Sequence, residues 1–396
     1  MSNSSRSTHR LTPFAYGFRP FFLAAIAYGL IGIAAWMVMR SIGGMPLRSL
    51  PPQLWHAHEM LFGFISAAIA GFLLTAVPSW TGGRGFAGWP LMVLSALWLA
   101  GRIAFAFAGH LPVWVVAVAE LTFFPALASL IAFPLLRARN RNTPLLAVIG
   151  MLWFADATFM CALARGELAL ATNTLHVGID VVLLLITVIG GRIVPAFTAN
   201  SLRQRGITVQ VRNHRLIDGG VIAAMILVIA IDIAAPLHPA AAIVAGVAAV
   251  GHAARLAGWQ GSRAMGQPIV WVLHLAYLWL PIGLALKAIH LSTGADWAAD
   301  WMHALTVGTA ATMIVAVLTR ASLGHTGRPL VVSKGVAVAY GLLGAAALIR
   351  ALATTFAGYR EWAIWTAAAL WVMAFAVVLI VYAPILLGPR ADGREG

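Results

Sequence analysis

The sequence predicts an all-α polytopic membrane protein with about twelve transmembrane helices. Of its 396 residues, 61% are hydrophobic and 10% are charged, and the mean hydropathy is +0.89. A soluble globule of this composition would leave too much apolar surface in water, so the lipid bilayer is the expected surroundings. The net charge of +14 rests on too few charged residues to form a phosphate-binding face, which excludes nucleic acid as a partner.

Twelve apolar runs approach or exceed the roughly 20 residues that a helix needs to cross the hydrocarbon core. Together they predict one integral-membrane domain over residues 1–396, in which only the short segment "PLHP" separates the seventh and eighth spans. The predicted spans are 18–39, 55–79, 90–109, 112–136, 144–164, 173–198, 215–235, 238–257, 268–290, 299–320, 333–355 and 361–387.

Cationic residues are concentrated in the loops on one side of these spans. The densest of those loops is "RARNR" (137–141), whereas the loops on the other side hold only Arg40, Arg48, Arg165 and Arg360. Because cytoplasmic loops carry the excess of arginine and lysine, this asymmetry predicts that the N-terminus and the C-terminus are both cytoplasmic.

A histidine stands at the beginning of every fourth span. The stretches "LWHAHEM", "NTLHVG" and "DWMHAL" place His58, His176 and His303 at the outer ends of helices 2, 6 and 10. These helices are rich in Gly, Ala and Thr, which permits close helix packing. The pattern predicts three four-helix repeats with helices 2, 6 and 10 facing one another. The approximate repeats are 18–136, 144–257 and 268–387.

The histidines are candidate metal ligands. His56 and His58 are two residues apart and therefore point to different faces of helix 2, so at most one is directed at a centre shared with His176 and His303. We expect His58 to be that ligand ahead of His56, while the other serves a second metal or a hydrogen bond. Any one of them alone is as often an ordinary interfacial polar residue; the recurrence at one depth favours the metal interpretation.

Two acidic residues accompany these histidines. Glu59 follows His56 at i+3 and Asp180 follows His176 at i+4, so each pair can share a helix face. A carboxylate in that position can orient a ligating imidazole, and Glu59 and Asp180 are also candidate catalytic groups for handling protons.

Two arginines within the spans are ambiguous. Arg102 and Arg192 could bind carboxylates such as haem propionates or pair with nearby acids, and for Arg102 structural pairing is favoured; Arg192 is retained as a candidate cofactor-binding residue. The chain contains one cysteine, Cys161, which excludes an intramolecular disulfide and a thiolate cluster, leaving histidine, carboxylate or methionine as metal ligands.

Several stretches together resemble the NnrS family across essentially the whole chain. They are "GFRPFFL", "WHAHEMLFGF", "AGFLLTAVPSWTG", "HVGIDVVLLLITVIGGRIVPAFTAN" and "LTVGTAATMIVAVLTRASLGHTGRPL". The resemblance implies a bacterial inner-membrane protein of about twelve spans that contains haem b and copper. It also implies an association with denitrification and with protection against nitrosative stress from nitric oxide.

The spacing of the histidines is also similar to the architecture of the haem–copper oxidases. Those proteins have twelve core helices in three four-helix arcs, with metal-binding histidines on helices 2, 6, 7 and 10. Here helix 7, "RLIDGGVIAAMILVIAIDIAAP", contains no histidine. A distant architectural kinship is therefore expected, but an oxidase-like binuclear centre is not.

The leading functional hypothesis is a haem protein, with or without copper, that binds nitric oxide or reduces it as a nitric oxide reductase-type oxidoreductase. Reduction would need an electron donor, which the sequence does not identify. Two alternatives stay open: a secondary transporter, and a non-catalytic sensor or metal-insertion partner of a denitrification enzyme. A threefold repeat with polar residues near the outer ends is less typical of carriers, which usually have twofold repeats and midplane sites.

Overall fold

The fold was analysed in a computed structural model that describes residues 12–42, 50–208, 210–212, 214–355 and 357–394. Within these ranges the chain forms helices and their connections, without a β-strand. Twelve helices are long and apolar enough to cross a membrane, which confirms the predicted fold class. They are α1 (Phe18–Ser41), α2 (Pro52–Thr81), α3 (Trp89–Ala106), α4 (Val113–Arg137), α5 (Leu145–Arg165), α6 (Leu168–Gln204), α7 (Arg215–Ala234), α8 (Pro239–Ala257), α9 (Pro268–Thr293), α10 (Asp296–His325), α11 (Lys334–Ala351) and α12 (Arg360–Leu387).

The largest differences from the predicted spans lie in α6 and α10, which continue beyond their apolar runs. Helix α6 was expected over 173–198 and extends over Leu168–Gln204, while α10 was expected over 299–320 and extends over Asp296–His325. A helix continues for as long as its backbone hydrogen bonds are made, whereas a hydropathy scan detects only the part that lies in lipid. Arg48, in the loop after α1, lies outside the described residues.

Helices α2, α6 and α10 form the centre of the bundle. In their most apolar 18-residue segments, 83%, 72% and 67% of the residues are buried, against at most 61% in the other nine spans. The three helices contact one another pairwise. Small residues allow this approach: a Cβ atom on Gly178 of α6 would lie 2.6 Å from Cδ2 of Leu61 in α2.

Two of these central helices change winding immediately after their histidines. In α2, residues Glu59–Ile65 are π-helical, directly following His58, and in α10 the π-helical stretch Ala304–Ala311 directly follows His303. A π-helical turn rotates the side chains that follow it relative to an α-helix, and such turns are frequent at functional sites. We call the end of the bundle at which α2, α6 and α10 begin the mouth end.

The first and last helices pack against each other beside this centre. The indole Nε1 of Trp371 in α12 donates a hydrogen bond to the carbonyl of Gly29 in α1 at 2.7 Å. A Cβ atom on Gly29 would lie 2.5 Å from the Phe375 ring, so the glycine is what lets the two helices approach this closely. Trp371 is thereby held in position as part of the wall of a cavity at the mouth end.

Candidate functional site

A cavity of about 530 Å³ lies at the mouth end. Its walls come from α1, α2, α6, α10, α11 and α12, and most of the lining side chains are apolar. His56 of α2, His176 of α6 and His303 of α10 all line it, so each central helix contributes one imidazole. Ligand pockets of this kind, mostly apolar with a few convergent polar groups, commonly measure about 300–1,000 Å³.

His56 is held against the side of the cavity by an aromatic contact. Its ring stacks on Trp36 of α1, with 4.6 Å between the ring centroids. The Nδ1 atom is buried and has no hydrogen-bond partner among the described residues. A buried polar atom without a partner is costly, so this nitrogen is suited to bind a ligand in the cavity.

His303 belongs to a short polar chain in the part of the wall formed by α10 and α11. Its Nδ1 lies 3.6 Å from Oδ1 of Asp300, one turn earlier in α10. The same Oδ1 lies 2.7 Å from Nη1 of Arg350 in α11. Asp300 thus pairs with a guanidinium that also lines the cavity and lies near the imidazole without a hydrogen bond to it. The result is an ion pair at the wall of a largely apolar space.

His176 lies between the cavity and a buried ionic group. Its ring is 5.8 Å from that of Trp301, and the ammonium of Lys287 lies 4.9 Å from the centroid of the same indole ring. Lys287 contacts Asp232 directly and lies 3.8 Å from Oδ2 of Asp180. Asp180 is therefore in the layer beneath the histidine, paired with a lysine, and does not line the cavity.

The ligand atoms of the three cavity imidazoles do not all lie within 4.8 Å of one another. One ligand atom each from His58, Glu120 and Asp156 lies within 4.8 Å of the other two. Among the described residues, this is the group of three or more histidine, cysteine, aspartate or glutamate side chains that meets that distance. That group lies elsewhere. The cavity thus suits a bulky ligand that reaches several walls better than a single small ion bound by all three histidines.

His58 lies outside the cavity, fully buried in a polar cluster between α2, α3, α4 and α5. Its ring packs against Phe105 and Phe159, with centroid distances of 3.8 and 4.7 Å. Nδ1 is 3.0 Å from Oε1 of Glu59, and Nε2 is 3.2 Å from Oδ1 of Asp156. We call His58, Glu59, Arg102, Glu120 and Asp156 the His58 cluster.

Arg102 joins the two glutamates of the His58 cluster. Its Nη1 donates to Oε1 of Glu59 at 2.6 Å, and its Nη2 donates to Oε2 of Glu120. The hydroxyl of Tyr28 donates to the other oxygen of Glu59. Arg102 therefore has the structural pairing role that its position in an apolar span favoured.

The structure separates His56 from Glu59, which the i+3 spacing had placed on one face. Glu59 is directed towards Arg102 and Tyr28, on the side away from the cavity. The spacing places the two residues on neighbouring positions of the helix surface, but hydrogen bonds from Arg102 and Tyr28 hold the carboxylate of Glu59 on the side away from the cavity. Of the two histidines in this stretch, the one in the cavity is His56, not the favoured His58.

Arg192 is also distant from the cavity. It lies sixteen residues after His176 in the same helix, about 24 Å along its axis at 1.5 Å per residue. Its Nη1 donates to Oδ1 of Asn142 at 2.5 Å. The structure therefore does not bring Arg192 to a group bound at the mouth end.

Sequence reasoning missed the polar partners that other helices supply. Arg350 and Asp300 line the cavity, and Asp156 faces His58, yet none was singled out as a site residue. A signal existed for Asp300, which precedes His303 at the i,i+3 spacing, and for Lys287, an ionisable residue inside an apolar span. For Arg350 and Asp156 the relevant proximity arises only from packing between helices.

The comparisons with known proteins agree with the stretches that carried the resemblance. The NnrS family model, described as NnrS protein, matches residues 12–390 of the chain. No curated protein matches the sequence.

Proposed function

The chain belongs to the NnrS family, and from this we propose that it is a haem protein of the bacterial inner membrane that binds nitric oxide in the cavity at the mouth end. Family membership is consistent with a membrane protein of the nitric oxide response. The observation that carries the haem assignment is the convergence of His56, His176, His303 and Arg350 on one largely apolar cavity of about 530 Å³.

The residues of the cavity fit a haem. The macrocycle is apolar, as most of the wall is, and its iron is bound by imidazole nitrogens, for which the partnerless Nδ1 of His56 is available. Its propionates are anionic and require a cation, which Arg350 supplies at the cavity wall. A lone copper ion fits this cavity less well, because the three imidazoles are not gathered within bonding distance of one point.

Each cavity residue has a distinct task in this proposal. His56, His176 and His303 are the residues that would hold the haem iron, and Trp36 packs against the ring of His56. Arg350 binds a carboxylate and is itself held by Asp300. When bound, a haem supplies an iron coordination position at which nitric oxide is held.

The surroundings favour a small uncharged ligand. Ile65 of α2 lines the cavity and also lines a second cavity of about 80 Å³, formed between the three central helices by apolar side chains. Apolar cavities of this size stay dry and accept apolar guests. Nitric oxide, which partitions into lipid, can therefore collect beside the site while water is excluded.

Reduction of nitric oxide is an additional step within this proposal and depends on an external one-electron donor. Two molecules of nitric oxide, two electrons and two protons give one nitrous oxide and one water. The carboxylates nearest the cavity are Asp300, in its wall, and, one layer beneath, Asp180 and Asp232 beside Lys287. Glu59 is directed away from the cavity into the His58 cluster, so Asp300 replaces it as the nearer carboxylate.

The proposed orientation places this site at the periplasmic side. The loops of the opposite end carry most of the arginines, including "RARNR" (137–141), and cationic loops stay in the cytoplasm. A site at the mouth end would then meet nitric oxide that arrives from outside the cell. Cysteine labelling tests this orientation. Arg139→Cys and Arg360→Cys are each introduced into Cys161→Ser protein, and intact spheroplasts are treated with a membrane-impermeant maleimide. Only the cysteine at position 360 should react.

The proposal is tested by optical spectroscopy of the detergent-purified protein expressed with ample haem. We expect a b-type reduced spectrum that shifts when nitric oxide is added to the dithionite-reduced protein. In proteoliposomes, consumption of nitric oxide with an artificial donor distinguishes reduction from binding alone. A folded, colourless protein would contradict the haem assignment and favour a transporter.

A further inference from the structure

The His58 cluster has more negative than positive charge. It contains three carboxylates, from Glu59, Glu120 and Asp156, and one guanidinium, from Arg102, and these side chains are at least 94% buried. Charges removed from water in a membrane protein must be compensated nearby. When all three carboxyl groups are ionised and the imidazole is neutral, two negative charges remain without a countercharge.

The orientation of His58 shows where that countercharge belongs. A neutral imidazole has one N–H, so it can donate to Glu59 through Nδ1 or to Asp156 through Nε2, but not to both. When Nδ1–H donates to Glu59, the lone pair of Nε2 is directed at the Asp156 oxygen 3.2 Å away. Two acceptors at this distance repel each other, so the contact requires either a cation between or beside them or a proton on Asp156.

A carboxylate on one ring nitrogen and further donor atoms around the other is the usual surrounding of a metal-ligating histidine. Glu59 is the carboxylate at Nδ1, and hydrogen bonds from Arg102 and Tyr28 hold it there. One ligand atom each from His58, Glu120 and Asp156 lies within 4.8 Å of the other two. Atoms bound to one ion at about 2.1 Å lie at most about 4.2 Å apart, so a small inward movement would complete the shell.

A second, independent observation comes from Glu120. Its Oε2 accepts from Arg102, but its Oε1 is buried and has no hydrogen-bond partner among the described residues. A carboxylate oxygen left in this state is costly, and it belongs to one of the three side chains that converge. The aromatic rings of Phe105 and Phe159 pack against His58 and restrict the movement of the imidazole.

From these observations we propose that His58, Glu120 and Asp156 bind one divalent first-row transition metal ion, with Glu59 orienting His58 from its other side. One imidazole and two carboxylates suit manganese, iron, zinc or copper(II), whereas magnesium and calcium prefer oxygen alone and copper(I) prefers sulfur. With Arg102, a divalent ion neutralises the three carboxylates. This site lies outside the haem cavity and does not depend on the haem proposal.

The test is metal content and coordination in the purified full chain. After treatment with a chelator, the protein is incubated with Mn²⁺, Zn²⁺ or Cu²⁺ in turn, freed of unbound ion and analysed by mass spectrometry. We expect one ion per chain from at least one metal beyond the haem iron. For Cu²⁺, pulsed electron paramagnetic resonance is expected to show the nitrogen of one imidazole.

Variants separate this site from the cavity. His58→Ala and Asp156→Asn should weaken metal binding at least 10-fold, and Glu59→Gln about 10- to 100-fold as an outer-shell change. His252→Ala and Asp232→Asn, which remove a buried histidine and a buried aspartate elsewhere, should retain the ion, and so should His56→Ala. Only variants that elute as folded monodisperse protein are compared.

Two results would overturn the proposal. The first is a folded wild-type protein that takes up no ion from any of the three metals, which would mean that protons supply the countercharge in the His58 cluster. The second is an ion retained with unchanged affinity and unchanged nitrogen coupling in Asp156→Asn and His58→Ala. The first result requires only the wild-type protein, so the proposal can be contradicted even when every variant misfolds.

Discussion

His56 and His58 are separated by one residue in α2, yet they belong to different sites. His56 lines the cavity and stacks on Trp36, whereas His58 is enclosed by Phe105 and Phe159 in the His58 cluster. The stretch "HAH" therefore supplies one imidazole to each of two separate polar sites. Substitutions at these two positions should consequently have different effects.

Filling the cavity should displace its ligand. Ala368 of α12 lines the cavity, while the next residue, Ala369, is exposed on the outside of the bundle. We expect Ala368→Phe to reduce the haem-to-protein ratio at least 10-fold, because its ring occupies part of the 530 Å³, and Ala369→Phe to leave that ratio unchanged. Pyridine haemochrome assays of both proteins give the comparison; equal haem content in the two would place the haem elsewhere.

Arg350 should determine how tightly an anionic cofactor is held. Replacing it with glutamine removes the cation of the cavity wall and leaves Asp300 without its 2.7 Å partner. A charge-assisted hydrogen bond contributes about 1.5–3 kcal/mol, so haem transfer from Arg350→Gln to apomyoglobin should be about 10- to 100-fold faster. Arg360→Gln, at an exposed arginine of the same end, is the control. Equal transfer rates for the two variants would argue against propionate binding at Arg350.

Removing Arg102 should destabilise the fold. Arg102→Met leaves the buried carboxylates of Glu59 and Glu120 without their shared guanidinium, and breaking a buried ion pair costs about 3–5 kcal/mol. Denaturant unfolding in micelles, followed by tryptophan fluorescence, measures the loss. The matched change at the exposed Arg165 should alter the free energy of unfolding by less than about 0.5 kcal/mol. If the double variant Arg102→Met with Glu120→Gln regains part of the lost stability, the result supports the pairing. Similar losses of stability at Arg102 and Arg165 would contradict it.

Two glycine-to-alanine changes should differ in their effect on the free energy of unfolding. In the π-helical stretch of α10, a Cβ on Gly308 would overlap Trp279 of α9, whereas a Cβ on Gly341 of α11 would meet nothing within 4 Å. We expect Gly308→Ala to destabilise by about 1–3 kcal/mol through overpacking and Gly341→Ala to be neutral or stabilising by up to about 1 kcal/mol. The same unfolding assay compares them. A neutral Gly308→Ala would show that α9 and α10 are not packed as closely as the structure indicates.

The twelve spans could be predicted because lipid imposes a length and a composition on each helix. The positions of His176 and His303 at the beginnings of α6 and α10 followed from the same scan, and the structure places both on the cavity wall. The mutual contacts of α2, α6 and α10 agree with the expectation that they face one another, while the three repeats themselves stay a prediction.

The directions of side chains were harder to predict from the sequence than the positions of the spans. The choice between His56 and His58 depended on which face of α2 each neighbouring helix covers, and hydropathy does not give that information. The partners Arg350 and Asp156 lie far along the chain from the histidines that they accompany, so only the packing of helices shows them. Arg192 looked suitable by residue type, but its depth along α6 takes it to Asn142 instead.

The most direct test of the central claim is the haem content and reduced optical spectrum of four alanine variants, at His56, His176, His303 and His58, each purified as folded protein. The cavity assignment predicts that at least one of the three cavity variants loses the haem or shows a changed optical spectrum. It also predicts that His58→Ala retains the wild-type haem spectrum. Loss of the haem in His58→Ala alone, with the three cavity variants unchanged, would contradict it.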